Sequence, residues 1–425
     1  MAPVAISLCI VMVGIISYVT EISFLELIEA KTIDLRFRSR GQISPSSKVV
    51  IAAIDEKSLD REGKWVWPRS KIADLVTKLS EAGVRVIVLD IVFSEPDKLQ
   101  AYNDAILADA IAKSRSKVVL GFFFHMTSEG LEHIEKKELD RRKQDIEGGR
   151  YRLLNLASGD AQSLNAIEAA IPESNIAEIS RSTNYTGFFN VWQDSDGVVR
   201  AVPTVVKYDS AFYAPLTLVT MSAYWGDPLS IASYKGSVQS VSIGTLSIPT
   251  NPLGKMLINF RGEHKTIPHI SVTDILNKVI PNRALKNKIV IVGATAIGLC
   301  DIRVTPFSTN FPAPEIHANI VDNILSKDFI REPPWSAAWD IMAMIVLGLL
   351  LAFLLPRFGF ILSAVTSLAI FVGYILLCQY LFSSMGLVLN LVYPLTVAVL
   401  VYLGITTYGR YSLKRGNVKN AGQNS

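Results

Sequence analysis

Long apolar runs occupy both ends of this 425-residue chain and enclose a polar middle, and this segregation is the strongest constraint on its fold. One run extends from Val4 to Val19, and three more lie between Ala337 and Thr407. Half of the residues are apolar and 19% are charged. That balance is too hydrophobic for an ordinary soluble protein and too charged for a chain buried throughout in lipid. The sequence therefore predicts a membrane protein with a large polar domain.

Four segments are predicted to cross the membrane, because about 20 apolar residues in a helix span a bilayer. Their predicted ranges are 1–20, 337–355, 360–382 and 387–407. The first could instead be a cleaved signal peptide, but it has no basic n-region and no small-residue cleavage site, which favours an anchor. Residues 21–40 are predicted to form a juxtamembrane helix, because Phe24, Ile28 and Leu35 recur at helical spacing.

Basic residues after the last apolar run predict the orientation, because positively charged loops stay in the cytoplasm. The tail at residues 408–425 carries Arg410, Lys414, Arg415 and Lys419. Counting back through the spans puts the N-terminus inside and the polar middle outside. We therefore expect a multi-pass protein of the inner (cytoplasmic) membrane, with both termini cytoplasmic and residues from about 21 to 335 exported.

The exported domain, predicted at residues 41–335, has the pattern of an α/β domain with a mainly parallel sheet flanked by helices. Continuous apolar runs, typical of strands buried on both faces, begin at Val49, Val84, Lys117 and Lys288. Helical patterns lie between them, with Pro68 expected at a first helical position. Antiparallel additions are expected in the middle, including two strands around a turn at residues 194–197. Residues 129–173 are expected to be an elaborated loop with some helix.

Composition excludes several functions. The net charge of +4 and the lack of a basic face with interleaved aromatics argue against nucleic acid. Cys300 is the only cysteine outside the apolar runs, so neither a disulfide within the domain nor a cysteine-based metal site is expected. His264 and His269 could share a metal, but no clear carboxylate pattern accompanies them. No catalytic constellation and no cofactor motif is visible, so we expect no catalytic residue, metal or cofactor.

Five blocks of this sequence, in order, resemble the CHASE family, type two. They are VVIAAIDEKSL, WVWPRSKIADLVTKLSEAGVRVIVLDIVFSEPD, NVWQDSDGVVRAVP, INFRG, and the long block that begins KIVIVGATAIGLCDIRVTP. The resemblance runs from about residue 33 to residue 335, and the three apolar segments that follow are also typical. Ala313–Glu315 (APE) departs from the Pro-Gly-Val-Glu expected before Ile316, which affects the geometry of that loop.

The resemblance implies a bacterial receptor in which an outer domain controls a cytoplasmic adenylate cyclase, histidine kinase or serine/threonine kinase. It also implies a homodimer, because those enzymes act as dimers. About a dozen residues after Tyr411 cannot fold into a catalytic domain. We therefore expect no enzyme in this chain and an output in a separate partner or in a part beyond it. The stimulus is expected to be a small molecule or an envelope condition.

Ligands of open α/β sheets bind beyond the carboxyl ends of the strands. On that basis the candidate ligand-binding residues are Asp55, Trp67, Arg69, Asp90, Glu95, Asp301, Arg303 and His317. The alternative is that the acidic residues cap turns and pair with the arginines as structural ion pairs. Candidate signal-transmitting residues are Phe24, Ile28, Leu35, Trp335 and Trp339.

Two other hypotheses stay open at this point. The domain could be a docking surface of an envelope assembly or scaffold protein, or an envelope enzyme that uses Asp55, Asp90 and Asp301.

Overall fold

The computed structural model describes residues 2–100, 102–156 and 164–423. The chain divides into two compact units. The helical unit comprises residues 1–40 and 330–425, and the α/β unit comprises residues 41–329. The finer domain boundaries expected from the sequence stay predictions.

The α-helices of the described residues are α1 (Ala2–Val19), α2 (Ser23–Arg40), α3 (Glu56–Glu62), α4 (Arg69–Glu81), α5 (Tyr102–Lys113), α6 (Lys136–Asp145), α7 (Ala177–Ser180), α8 (Leu216–Trp225), α9 (Val272–Leu276), α10 (Ala313–Ser326), α11 (Ser336–Leu354), α12 (Phe360–Met385) and α13 (Val392–Gln423).

The strands are β1 (Val49–Ile54), β2 (Val86–Leu89), β3 (Lys117–His125), β4 (Leu153–Leu156), β5 (Ile167–Glu168), β6 (Ile171–Glu173), β7 (Thr186–Phe188), β8 (Ala201–Pro203), β9 (Val206–Tyr208), β10 (Ala211–Tyr213), β11 (Leu229–Tyr234), β12 (Ser237–Ile243), β13 (Leu246–Ile248), β14 (Lys255–Leu257), β15 (His269–Ser271), β16 (Ile289–Ala294), β17 (Ile302–Arg303) and β18 (Phe311–Pro312).

Four helices of the described chain are long and apolar enough to cross a membrane. They are Ala2–Val19, Ser336–Arg357, Phe360–Met385 and Val392–Ser412. They coincide with the four apolar segments predicted from the sequence. Their arrangement as one helix before and three after the α/β unit, each crossing a bilayer, stays a prediction.

Glycines allow α1 to pack closely against two other helices of the helical unit. A Cβ atom on Gly14 would overlap Val397 Cγ2 of α13, and one on Gly348 of α11 would lie 2.6 Å from Val11 Cγ2. Neither neighbouring methyl group could stay in place. Small residues at such contacts are the usual way in which membrane helices approach, because lipid supplies no hydrophobic drive for their association.

A mainly parallel sheet forms the centre of the α/β unit. Its strand order is β15-β1-β16-β2-β3-β6, and β7 also pairs with β3. All neighbouring strands are parallel except β3 and β6. The four apolar runs identified in the sequence form β1, β2, β3 and β16, so the predicted mainly parallel sheet is confirmed. Smaller sheets supply the antiparallel pairs, such as β11 with β12 and β12 with β13.

Helices cover both faces of this sheet, which explains why its strands are apolar without alternation. Alternate strand residues such as Val50, Ala52 and Val292 form a buried cluster with α4, α5 and α9. The intervening residues point to the other face, which α8 and α10 cover. Gly293, near the end of β16, brings α10 close to the sheet, because a Cβ atom there would lie 2.5 Å from Pro314 Cγ.

Two local predictions were wrong. The turn at residues 194–197 exists, since the Gly197 amide donates to the Asp194 carbonyl over 2.9 Å, but it does not join a hairpin. The strand before it, β7, pairs with β3, and the strand after it, β8, pairs with β14.

Pro68 is the residue before α4 rather than its first helical residue. The predicted loop at residues 129–173 contains α6 and short strands, and its residues 157–163 lie outside the described residues.

Candidate functional site

Asp90 and His317 meet in the interior of the α/β unit, at the carboxyl end of β2. Asp90 directly follows that strand, and His317 is the fifth residue of α10. Asp90 Oδ1 lies 3.8 Å from His317 Nε2, and both side chains are at most 6% exposed. The close approach of α10 at Gly293 is what brings the two side chains together.

Burial disfavours the charged form of both groups. Burial, and secondarily the nearby Asp301 carboxylate, raises the pKa of Asp90 to about 7. Burial lowers the pKa of His317 to about 4, although a hydrogen bond with the Phe189 backbone opposes this shift. Near neutral pH the imidazole is therefore neutral, and the carboxyl group is close to its titration point. A carboxyl group in that state can donate a hydrogen bond to a ligand when protonated and accept one from a ligand when ionised.

Asp301 and Arg303 form the outer part of this site. Arg303 Nε and Nη2 donate to Asp301 Oδ2 over 2.9 and 2.5 Å. The Asp301 side chain is 55% exposed. Four of the eight candidate ligand-binding residues thus belong to one region: Asp90, His317, Asp301 and Arg303. We refer to them as the Asp90 site.

The other four candidates have contacts outside the Asp90 site. The Arg69 amide donates to Asp97 Oδ2 over 2.7 Å, and its guanidinium lies 3.7 Å from Asp104 Oδ1. The Glu95 side chain is 68% exposed and pairs with Lys98 over 3.1 Å, while its carbonyl accepts from Arg69.

Asp55 and Trp67 have structural contacts. Asp55 is the N-cap of α3 and accepts hydrogen bonds from the Ser58 amide and from the hydroxyls of Ser58 and Ser271. Burial alone would raise the pKa of Asp55, but these hydrogen bonds outweigh it and lower the pKa. Trp67 is 2% exposed in the core beneath α4. A ligand-binding role for these residues stays a prediction.

A second polar cluster lies on the same helix as His317. Glu315 of α10 approaches His264 and His269, whose Nδ1 and Nε2 atoms lie 2.7 and 3.8 Å from Glu315 Oε2. The pairing of the two histidines was anticipated from the sequence, but Glu315 was not. The available signal was an acidic residue in the first turn of α10, which is also the usual place for a carboxylate that faces the helix dipole.

In the helical unit, α2 holds the loop between α12 and α13 through a buried ion pair. Arg36 Nη2 lies 2.7 Å from Glu29 Oε1, and these two side chains are 3% and 7% exposed. Arg36 Nη1 donates to the Leu389 carbonyl over 2.8 Å. Glu29 Oε2 accepts from the amides of Leu391 and Val392 over 2.9 and 2.7 Å.

This arrangement makes Glu29 a cap for the first turn of α13, supplied by another helix. A carboxylate at a helix N-terminus satisfies free amide groups and is favoured by the helix dipole. We call Glu29, Arg36 and residues 389–392 the α2–α13 clasp. The clasp was not predicted from the sequence, because its partners lie more than 350 positions apart in the chain.

The apolar side of α2 is in fact the exposed one. Phe24, Ile28 and Leu35 are 67%, 37% and 63% exposed, and they line an apolar groove of about 780 Å³ together with α12 and α13. The helix predicted from their spacing is present as α2, and their role in signal transmission stays a prediction. Polar side chains are packed instead, because the loop before α13 offers backbone donors and acceptors that only they can satisfy.

Trp335 and Trp339, the remaining candidates for signal transmission, lie at the start of α11. Their rings are in an edge-to-face contact with centroids 6.2 Å apart. Trp335 is 48% exposed, whereas Trp339 packs against the core of the helical unit. Their role in signalling stays a prediction.

Residues 7–355 match the family model described as CHASE2 domain. The chain belongs to the CHASE2 family. The matched range includes the whole α/β unit and extends into α1 and through α11, which confirms the resemblance seen in the five sequence blocks. CHASE2 is an extracytoplasmic sensory domain, and together with the four apolar helices it fits a membrane sensor. Comparisons with curated proteins and with solved structures gave no match.

Proposed function

We propose that this CHASE2 protein is the sensory and membrane part of a bacterial signal-transduction receptor. The α/β unit stands outside the cytoplasm and responds to a small molecule or an envelope condition. The response controls a cytoplasmic adenylate cyclase, histidine kinase or serine/threonine kinase. The receptor acts as a homodimer in the inner membrane. The family supports the sensory role, and the contacts of the helical unit support the route of the signal.

The α2–α13 clasp is the observation that carries this proposal. Helix α2 directly precedes the α/β unit in the chain, and α13 continues beyond its apolar part to Gln423. Glu29 bonds the first amides of α13, and Arg36 bonds the loop before it. A displacement of α2 therefore has to break these bonds or move the start of α13. This makes α2 the natural input and α13 the natural output of the helical unit.

A second group of contacts brings three parts of the helical unit together at one end. The Tyr18 hydroxyl at the end of α1 donates to Asp340 Oδ2 over 3.1 Å, and the Asn390 amide group donates to the same oxygen over 2.6 Å. The end of α1, the beginning of α11 and the loop before α13 thus lie together. With the basic tail in the cytoplasm, this end of the helical unit faces outward, on the same side as α2.

The proposal requires two states. A stimulus can shift the receptor only if it binds one arrangement of the α/β unit more tightly than the other. The Asp90 site is the candidate for that differential binding, because it joins a buried titrating carboxyl group to an exposed ion pair. The alternative of a carboxylate enzyme has less support, because Asp55 is already engaged as the cap of α3. The scaffold alternative is an outcome of the following test.

A fusion tests the proposal directly. The catalytic domain of a class III adenylate cyclase is joined after Lys419, and cyclic AMP production is measured in cells. Substitution Arg36→Met in the clasp is compared with Lys31→Met, a change on the half-exposed part of the same helix. We expect Arg36→Met to change production by about fivefold or more, the scale of ordinary allosteric coupling, and Lys31→Met to leave it unaltered.

The same fusion tests the Asp90 site. Asp90→Asn keeps the side-chain volume and removes the titrating group, and Asp109→Asn is the exposed control. Equal cyclic AMP production by all four variants and the parent, under every growth condition tried, would count against a receptor and favour the scaffold.

A further inference from the structure

The fully buried carboxylate of Glu315 faces two histidines in the α/β unit. Glu315 is the third residue of α10, His264 lies in the turn before β15, and His269 is the first residue of that strand. One ligand atom from each residue can be chosen so that all three lie within 4.8 Å of one another. Three different segments of the chain thus direct nitrogen and oxygen donors to a single point.

Two of these polar atoms are buried without a hydrogen bond. Glu315 Oε2 accepts from His264 Nδ1 over 2.7 Å and from the Lys265 amide over 3.2 Å. Among the described residues, Glu315 Oε1 and His269 Nε2 have no hydrogen-bond partner. The Glu315 side chain is 0% exposed, so water does not compensate its free oxygen at the surface. A buried polar atom without a partner is costly, and it calls for a specific explanation.

The tautomer of His269 explains why the contact is incomplete. Its Nδ1 lies 2.8 Å from the Ile267 carbonyl oxygen, and a carbonyl can only accept, so Nδ1 carries the hydrogen. The neutral ring then presents a lone pair at Nε2. This lone pair faces the negative carboxylate across 3.8 Å. Two acceptors that face each other are stabilised by a cation between them, which is either a proton on Nε2 or a metal ion.

We propose that His264 Nδ1, His269 Nε2 and the Glu315 carboxylate bind one divalent transition-metal ion of the zinc class. Two imidazoles and one carboxylate suit zinc and its neighbours, whereas calcium and magnesium prefer oxygen ligands alone. The hydrogen bond from His269 to the Ile267 carbonyl is the outer contact that commonly orients a metal-binding histidine. Three protein ligands leave a fourth tetrahedral position open for water or another donor.

Ion entry is possible from the side of His264, whose side chain is one-third exposed. Binding replaces the hydrogen on His264 Nδ1 by the metal ion, and the neutral ring then carries its hydrogen on Nε2. The proposal does not depend on the output of the receptor, because it concerns only the α/β unit. A site of this kind can stabilise the outer domain or make its state depend on metal ions outside the cytoplasm.

Cobalt(II) titration of the full-length protein tests the site. The protein is purified in detergent with a tag that contains no histidine, stripped with a chelator and titrated with Co²⁺, whose visible absorption reports nitrogen and oxygen ligation. We expect one ion per chain, displaced by Zn²⁺. His264→Ala and His269→Ala should each weaken binding by about 100-fold or more, because even the loss of an outer contact costs roughly 10- to 100-fold.

His125→Ala is the matched control. His125 is 32% exposed, close to the 33% of His264, and it also faces a carboxylate, Glu173, at 3.6 Å. It should bind Co²⁺ like the parent protein. Thermal unfolding of the metal-free variants identifies any that fail to fold, and the exposed His264 variant keeps the test valid if His269→Ala unfolds. Absence of Co²⁺ binding by the parent, or equal binding by the parent and His264→Ala, would overturn the proposal and leave an ordinary ion pair.

Discussion

Removal of Arg36 should destabilise the helical unit more than any loss of a surface charge. The substitution Arg36→Met keeps a long apolar side chain and leaves the Glu29 carboxylate buried without its cation. Breaking a buried ion pair by removal of one partner costs about 3–5 kcal/mol, because the remaining charge is not solvated. The Arg36 and Glu29 side chains are only 3% and 7% exposed, so the cost expected for a buried pair applies to them. Loss of the hydrogen bond to the Leu389 carbonyl contributes about 1 kcal/mol of this.

The double substitution Glu29→Gln/Arg36→Met isolates the interaction. The amide oxygen that this change introduces at position 29 can still accept from the first turn of α13, and no charge stays buried. We expect the double variant to be less destabilised than the sum of the single variants, with a coupling of about 1–3 kcal/mol. The free energy of unfolding is measured for the full chain in detergent with a chemical denaturant, at several denaturant concentrations.

Lys31→Met is the control on the same helix. The Lys31 side chain is 52% exposed and lies 3.9 Å from Asp34, so its loss should cost less than about 1 kcal/mol. Additive effects of the Glu29 and Arg36 substitutions, or a cost for Arg36→Met no larger than that for Lys31→Met, would refute the clasp as a stabilising contact.

Two further predictions concern each unit separately. Gly14→Ala places a methyl group against Val397, which should destabilise the helical unit by about 1–3 kcal/mol in the same assay, whereas Gly373→Ala, where nothing lies within 4 Å, should not. Asp97→Asn should cost about 1–3 kcal/mol at neutral pH, because the Asp97 carboxylate accepts from the backbone amides of Arg69, Leu99 and Gln100. Burial would raise the pKa of Asp97, but these hydrogen bonds outweigh it and lower the pKa. The Asp97 carboxylate therefore contributes its full stabilisation at pH values above its unfolded-state pKa of about 4. This contribution is lost as the pH falls through the lower pKa of the folded state. The difference in free energy of unfolding between the parent and Asp97→Asn should therefore shrink in acid. Two results would contradict these arguments. One is a difference in unfolding free energy between Asp97→Asn and the parent that stays constant from neutral pH into acid. The other is a Gly14→Ala variant as stable as the parent.

The central sheet could be predicted from the sequence because its strands are covered on both faces. Each appears as a continuous apolar run, and a run such as Val49–Ile54 contains no competing signal. The turn at residues 194–197 was equally clear in the sequence, but turn chemistry does not choose strand partners. Both neighbouring strands pair with segments far away in the chain, so the hairpin prediction was wrong.

The candidate site was only partly predictable for a similar reason. Asp90 follows the carboxyl end of β2, where a topology argument places ligand-binding residues, and the approach of α10 at Gly293 brings His317 to it. Asp55 was a candidate by the same argument, yet the nearby Ser58 amide and hydroxyl engage it. Glu315 approaches residues about 50 positions earlier in the chain, and no local pattern shows such a contact.

Helix α2 departs from the usual interpretation of a helical pattern. In a soluble protein the apolar side of an amphipathic helix is the packed one. Here Glu29 and Arg36 are packed and Leu35 is 63% exposed. The reason is that the Leu389 carbonyl and the amides of Leu391 and Val392 need hydrogen-bond partners, which only polar side chains supply. The spacing of apolar residues predicted the helix correctly but gave no sign of these polar contacts.

The most direct test of the receptor proposal is to determine on which side of the membrane the α/β unit and the C-terminal part of α13 lie. Cysteines are introduced at Ser128, an exposed position of the α/β unit, and at Ser412, an exposed position at the end of the apolar part of α13. The native cysteines of the chain are replaced by serine. Intact spheroplasts are treated with a membrane-impermeant maleimide, with lysed cells as the reference. The proposal predicts labelling at position 128 in intact spheroplasts and labelling at position 412 only after lysis. Labelling of both positions from the same side, or the reverse pattern, would contradict it.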